Sequence, residues 1–113
     1  MKKSILAFAI APLALAACQQ DPTEIQADAI EEAAGNRADA VESNADARAA
    51  QLRQQASELE ATANGQTGFT KKQTEVRIEA LRKEADLIAE QGDARADAIE
   101  TQAEADAKSL KSR

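Results

Sequence analysis

An eleven-residue alternation of alanine and aliphatic positions constrains this chain's fold more than any other feature. Ala27-Asp28-Ala29-Ile30-Glu31 returns as Ala38-Asp39-Ala40-Val41-Glu42, and a weaker copy follows at Ala49-Ala50-Gln51-Leu52-Arg53. The same period reappears as Ala85-Asp86-Leu87-Ile88, Ala96-Asp97-Ala98-Ile99 and Ala107-Lys108-Ser109-Leu110. Eleven residues make three helical turns at about 3.67 residues each, close to the natural 3.6, so the apolar seam of such a helix stays nearly straight. Arg37–Glu42 also aligns with Arg95–Glu100, at equal spacing from Leu52 and Leu110, which reads as an internal duplication.

Read at spacings of three and four, the first seam is Ala27, Ile30, Ala34, Ala38, Val41, Ala45, Ala49, Leu52, Ala56, Leu59 and Ala63. The second is Thr74, Ile78, Leu81, Ala85, Ile88, Gly92, Ala96, Ile99, Ala103, Ala107 and Leu110. Only Thr74 and Gly92 depart from an apolar side chain. Carboxylates, Gln and Arg fill the opposite faces, as amphipathic helices require. Abundant Ala, Glu, Arg and Gln favour long helices over strands.

Boundary signals divide the pattern in two. Asp21-Pro22-Thr23-Glu24 offers an N-cap, a proline at the first helical position and an acid at the third. Asn64-Gly65 is a helix stop, because glycine accepts the left-handed conformation without a Cβ clash. Thr70-Lys71-Lys72-Gln73 has the form of a capping box that restarts a helix. The expected fold is all-α: two long antiparallel helices over about 22–64 and 71–111, with a turn at 65–70. Pairing positions whose numbers sum to 133 or 134 sets large against small at most layers. Val41 then opposes Gly92, Ala34 opposes Ile99 and Ala45 opposes Ile88, the interdigitation that close packing needs. A lone hairpin leaves the flank of each seam uncovered, with Val76, Leu87 and Ala89 beside it. Association into a dimer or four-helix bundle is therefore expected.

Composition excludes several functions. The chain has no His, Trp or Tyr and a single Cys, so no disulfide can form within it and the usual soft-metal ligands are missing. Close carboxylates, such as Glu31 with Glu32 or Asp93 with Asp97, read as solvated faces rather than as a metal or acid–base site. No enzyme activity, metal or nucleic-acid partner is expected from an acidic chain of this kind.

The N-terminus carries a different signal. Lys2 and Lys3 precede an apolar run from Ile5 to Ala17, which ends in Leu15-Ala16-Ala17-Cys18. Basic start, short apolar run and small residues form the pattern of a secretory signal. The run is too short to span a hydrocarbon core of about 30 Å comfortably, and Pro12 interrupts it. Leu15–Cys18 resembles the lipobox of bacterial lipoproteins. The resemblance implies cleavage between Ala17 and Cys18, a diacylglyceryl group on the Cys18 thiol and acylation, such as palmitate, at the new amino terminus. Residues 1–17 are then a signal peptide, 18–21 a lipidated tether and 22–113 the hairpin. Gln19, rather than Asp, follows Cys18, which by the same resemblance implies the periplasmic face of the outer membrane.

Removing Lys2 and Lys3 takes the formal net charge from −6 to −8. That charge is uneven. Residues 48–83 carry seven Lys/Arg and four Asp/Glu, whereas 21–47 hold eight acids and only Arg37 as a base. In a hairpin, 48–83 form the tip, and Phe69, Lys71, Lys72 and Arg77 are the candidate contact residues for a partner. The mature part is similar to the small Ala-rich murein-type lipoproteins, from which its eleven-residue period and central break distinguish it. This implies a structural, spacer or tethering role, with peptidoglycan or a periplasmic protein as partner and the lipid as the membrane attachment. The repeats also resemble late-embryogenesis-abundant proteins, which implies the alternative of a stress-protective or regulatory binding protein.

Overall fold

The computed structural model describes residues 21–113; the expected signal peptide 1–17, with its expected cleavage position at Ala17 and Cys18, lies outside them, as do Cys18, Gln19 and Gln20 of the expected tether. Two helices, α1 (Pro22–Ala63) and α2 (Gly68–Lys111), pack side by side as an antiparallel hairpin. They have 42 and 44 residues, or about 65 Å each at 1.5 Å per residue. No strand occurs among the described residues.

The start of α1 follows its sequence signal. Asp21 Oδ1 accepts the Thr23 N–H at 3.1 Å, and the Asp21 carbonyl accepts from Glu24 and Ile25 at 2.9 and 3.2 Å. Pro22 stands at the first helical position, where its missing N–H costs nothing. At the other end Asn64 donates to the Glu60 carbonyl at 3.1 Å, and Gly65 and Gln66 add two tighter turn bonds to Thr62 and Ala63.

The turn is shorter than the sequence suggests, and it uses a different glycine. Helix α2 begins at Gly68, three residues earlier than expected, so residues 64–67 make the whole connection. Gly68 has φ +65°, a conformation open to glycine at little cost. Gly65, the expected left-handed residue, does not adopt it. Thr70 consequently lies inside α2 rather than capping it, and its carbonyl accepts the Thr74 hydroxyl at 3.0 Å. Thr67 is the N-cap residue, extended and without a side-chain cap bond. The Thr74 hydroxyl also lies 2.6 Å from Gln66 Oε1, which ties the turn to α2.

Every position of both expected seams is buried or half-buried. The two residue sizes, however, occupy different places. The buried line consists of Ala27, Ala34, Ala38, Ala45, Ala49, Ala56 and Ala63 on α1, facing Ile78, Ala85, Gly92, Ala96, Ala103 and Ala107 on α2. Ile78 is the only large side chain in it. Ile30, Val41, Leu52 and Leu59 on α1, and Leu81, Ile88, Ile99 and Leu110 on α2, stay half-buried. Small side chains let the helices approach closely, so the contact line falls on the alanines. The layer pairing shifts accordingly: the nearest partner of Gly92 is Ala45, and Val41 presents only its carbonyl oxygen, 3.9 Å from where a Cβ would stand.

Candidate functional site

The hairpin has two unlike faces, and helical geometry explains why. Each residue advances about 100° around the axis, so a residue three after one ladder position and four before the next lies about 50° to one side. All four large residues of α1 hold that relation to the buried ladder, as do Leu81, Ile88 and Ile99 of α2, and Leu110 follows the last ladder position, Ala107, by three. Because the helices are antiparallel, both offsets turn toward the same side. Ile30 and Ile99 accordingly share one recess, Val41 and Ile88 a second, and Leu59 and Leu81 a third. Together they form a shallow groove along the hairpin, with aliphatic side chains on its floor and polar ones, Arg48, Glu84 and Arg95 among them, on its walls.

Charges close the other face. Arg53 pairs with Asp86 at 3.0 Å, Glu60 with Arg82 at 2.7 Å, and Asp28 with Lys111 at 3.8 Å. Each joins α1 to α2. All six side chains are about half exposed or more, so each pair contributes only about 0–1 kcal/mol. Their main effect is on register and on which side of the hairpin stays open. Ala89 lies half-buried on this side, three residues before Gly92.

The tip carries the residues singled out by charge. Phe69 is 75% exposed and Val76 67% exposed. Seven residues apart, they stand on one side of α2, where Phe69, Lys72, Gln73, Val76 and Arg77 surround a shallow cleft. The structure thus brings Phe69, Lys72 and Arg77 together. Lys71 is elsewhere: it is half-buried and lines a separate recess with Glu60, Asn64, Glu75, Ile78, Glu79 and Arg82. Val76 is the member that charge alone does not point to, and its signal is the seven-residue spacing from Phe69. The arrangement, two apolar side chains flanked by two cations, suits a ligand with an anionic group beside an apolar or planar one.

Asp21 is held below its ordinary 3.8 by its hydrogen bonds from the Thr23 side chain and backbone. Glu31, Glu32, Asp93 and Asp97 are exposed. Among the described residues no three ligating side chains are grouped about a metal position, and no helix is long and apolar enough to cross a membrane. No protein-family model, curated protein or solved structure matches the chain.

Proposed function

We propose that this protein is a lipid-anchored helical lipoprotein of the periplasm, acting as a spacer or tether at the outer membrane. In this reading Cys18 carries the lipid, residues 18–21 lead into α1, and the tip bears the partner contact. The observation that supports it is the polarity of the hairpin. The chain enters at an acidic end, where Asp28 meets Lys111. Among residues 21–113 the one net-positive segment and the exposed Phe69 lie at the opposite end, about 65 Å away. An acidic base near an anionic lipid surface is repelled by it, so the hairpin stands off the membrane rather than lying along it.

The partner in this reading is the cell wall, whose stem peptides present free carboxylates to Lys72 and Arg77, with Lys71 and Phe69 beside them. Each exposed contact is weak, but many anchored copies add through effective concentration. The test is co-sedimentation of the full chain, extracted in mild detergent, with isolated sacculi. Retention that falls with salt and with Lys71→Glu/Lys72→Glu supports the tether. Equal retention of both forms, or none of either, removes it.

A further inference from the structure

Asn64-Gly65 stops α1, and the pair also has a chemistry of its own. An asparagine carboxamide lies within reach of the next residue's backbone nitrogen, and a glycine there has no Cβ to obstruct the approach. The chain holds three asparagines, in unlike surroundings. Asn36 and Asn44 lie well inside α1, before Arg37 and Ala45, where the following N–H belongs to the regular helical ladder. Asn64 is the exposed C-cap, in the connection 64–67. Its side chain makes no hydrogen bond among the described residues. The Gly65 N–H is held by one bond, to the Thr62 carbonyl at 3.2 Å. Gly65 is itself exposed and at ordinary φ. The Thr74 hydroxyl, 2.6 Å from Gln66 Oε1, clasps the residue that follows it.

We infer that Asn64 is a site of spontaneous deamidation, gated by opening of the turn. Opening frees the Gly65 nitrogen from Thr62. That nitrogen loses its proton to hydroxide and attacks Asn64 Cγ. The Cγ–N bond forms, the Cγ–Nδ2 bond breaks, and Nδ2 leaves as ammonia, taking a proton from water. The resulting succinimide takes up one water. Opening at Cγ gives an aspartyl residue, and opening at the main-chain carbonyl gives an isoaspartyl one, whose backbone is one carbon longer. Either product lowers the net charge of residues 48–83 from +3 to +2. The new carboxylate stands at the C-terminal end of α1, where the helix dipole disfavours it. In the same recess Lys71 and Arg82 attract it, and Glu60, Glu75 and Glu79 repel it. The isoaspartyl form also lengthens the short connection between the helices. The reaction is therefore a one-way chemical change at the tip, and it leaves the alanine ladder untouched.

This inference rests on the turn and does not depend on the proposed tether. The full chain, extracted in mild detergent, is incubated in neutral buffer and followed by peptide mass spectrometry against a sample digested at once. The peptide holding Asn64 should gain the mass of an amide turned to an acid and separate into aspartyl and isoaspartyl products, while Asn36 and Asn44 stay amides. No change at Asn64, or an equal change at Asn36 or Asn44, would overturn the proposal. Gly65→Ala should slow the reaction about tenfold, because a Cβ restricts the attacking residue. An unchanged rate would exclude cyclisation through the Gly65 nitrogen and overturn the proposed route. Thr74→Val removes the clasp and should speed the reaction about two- to tenfold, the weight of one ordinary hydrogen bond. An equal or slower rate in that variant would overturn gating by the turn.

Discussion

Gly92 of α2 lies so close against Ala45 of α1 that a methyl group at position 92 would overlap the Ala45 Cβ, with the Ala45 Cα 3.8 Å away. No flexible side chain can give way there, because the obstacle is the first atom off the opposing backbone. The two helices themselves must separate. Gly92→Ala gains about 1 kcal/mol of helix propensity but incurs overpacking of about 1–3 kcal/mol. Net destabilisation is expected, read as a lower Tm by circular dichroism. Adding Ala45→Gly removes the overlap and should raise the Tm of the double variant above that of Gly92→Ala alone.

Gly35 gives the opposite expectation. It lies within α1, half-buried, and a Cβ there meets nothing within 4 Å. Gly35→Ala should stabilise the hairpin by about 0.5–1 kcal/mol through helix propensity alone. Thermal melts of the two alanine variants side by side test the assignment, since the same substitution should move Tm in opposite directions.

Gly68 has a third role. Its φ of +65° starts α2, and a Cβ in that conformation costs about 1–2 kcal/mol even in open space. Gly68→Ala should therefore lower stability, whereas Gly65→Ala, at ordinary φ and with only the Thr62 carbonyl 3.6 Å away, should leave it nearly unchanged. Chemical denaturation midpoints distinguish them.

The cap of α1 should respond to acid. Asp21 is held below its ordinary 3.8 by Thr23. A carboxyl whose folded pKa is depressed contributes fully above the unfolded value, and that contribution is lost as pH falls through the folded one. The first turn should therefore fray from about pH 4 downward, seen as faster amide exchange at Thr23. Asp21→Asn retains an acceptor that does not titrate and should remove this acid dependence.

Cys18 is tested outside the hairpin. Mass spectrometry of the membrane-extracted protein should find a lipid adduct on Cys18 as the first residue, and Cys18→Ala should leave a precursor that keeps residues 1–17. Stable attachment calls for more than one acyl chain, at about 0.8 kcal/mol per buried CH₂. A mature N-terminus elsewhere, without lipid, would end the anchor reading.

Much of this fold is legible in the sequence because one pattern repeats for forty residues on each side of a break. Ala27 to Ala63 and Thr74 to Leu110 are the inward positions, as their spacing indicates. The seam did not reveal that its alanines and its aliphatics diverge. A three–four spacing treats Ala38, Val41 and Ala45 as one line, although Val41 stands about 50° from the direction the alanines share. Only a partner helix decides which of the two directions becomes the contact, and here the smaller residues win because they allow the closer approach. The restart of α2 was obscured for a local reason. Thr70–Gln73 has the composition of a capping box, but Gly68 reaches a positive φ first and α2 begins there. At the tip, charge composition groups Lys71, Lys72 and Arg77 alike, whereas the structure sets Lys71 on another side of the same turn.

The pairing of two helices through a ladder of alanines has a mechanical meaning. A pull applied between the start of α1 and the tip runs along α1 alone, through its backbone hydrogen bonds, because α2 returns from the tip toward the start. Helix α2 is then a splint. Stretching α1 would slide its alanines past those of α2 along the whole length at once, so the contacts resist in shear instead of opening one after another like a zipper. Gly92, wedged against Ala45, would act as a detent against that sliding.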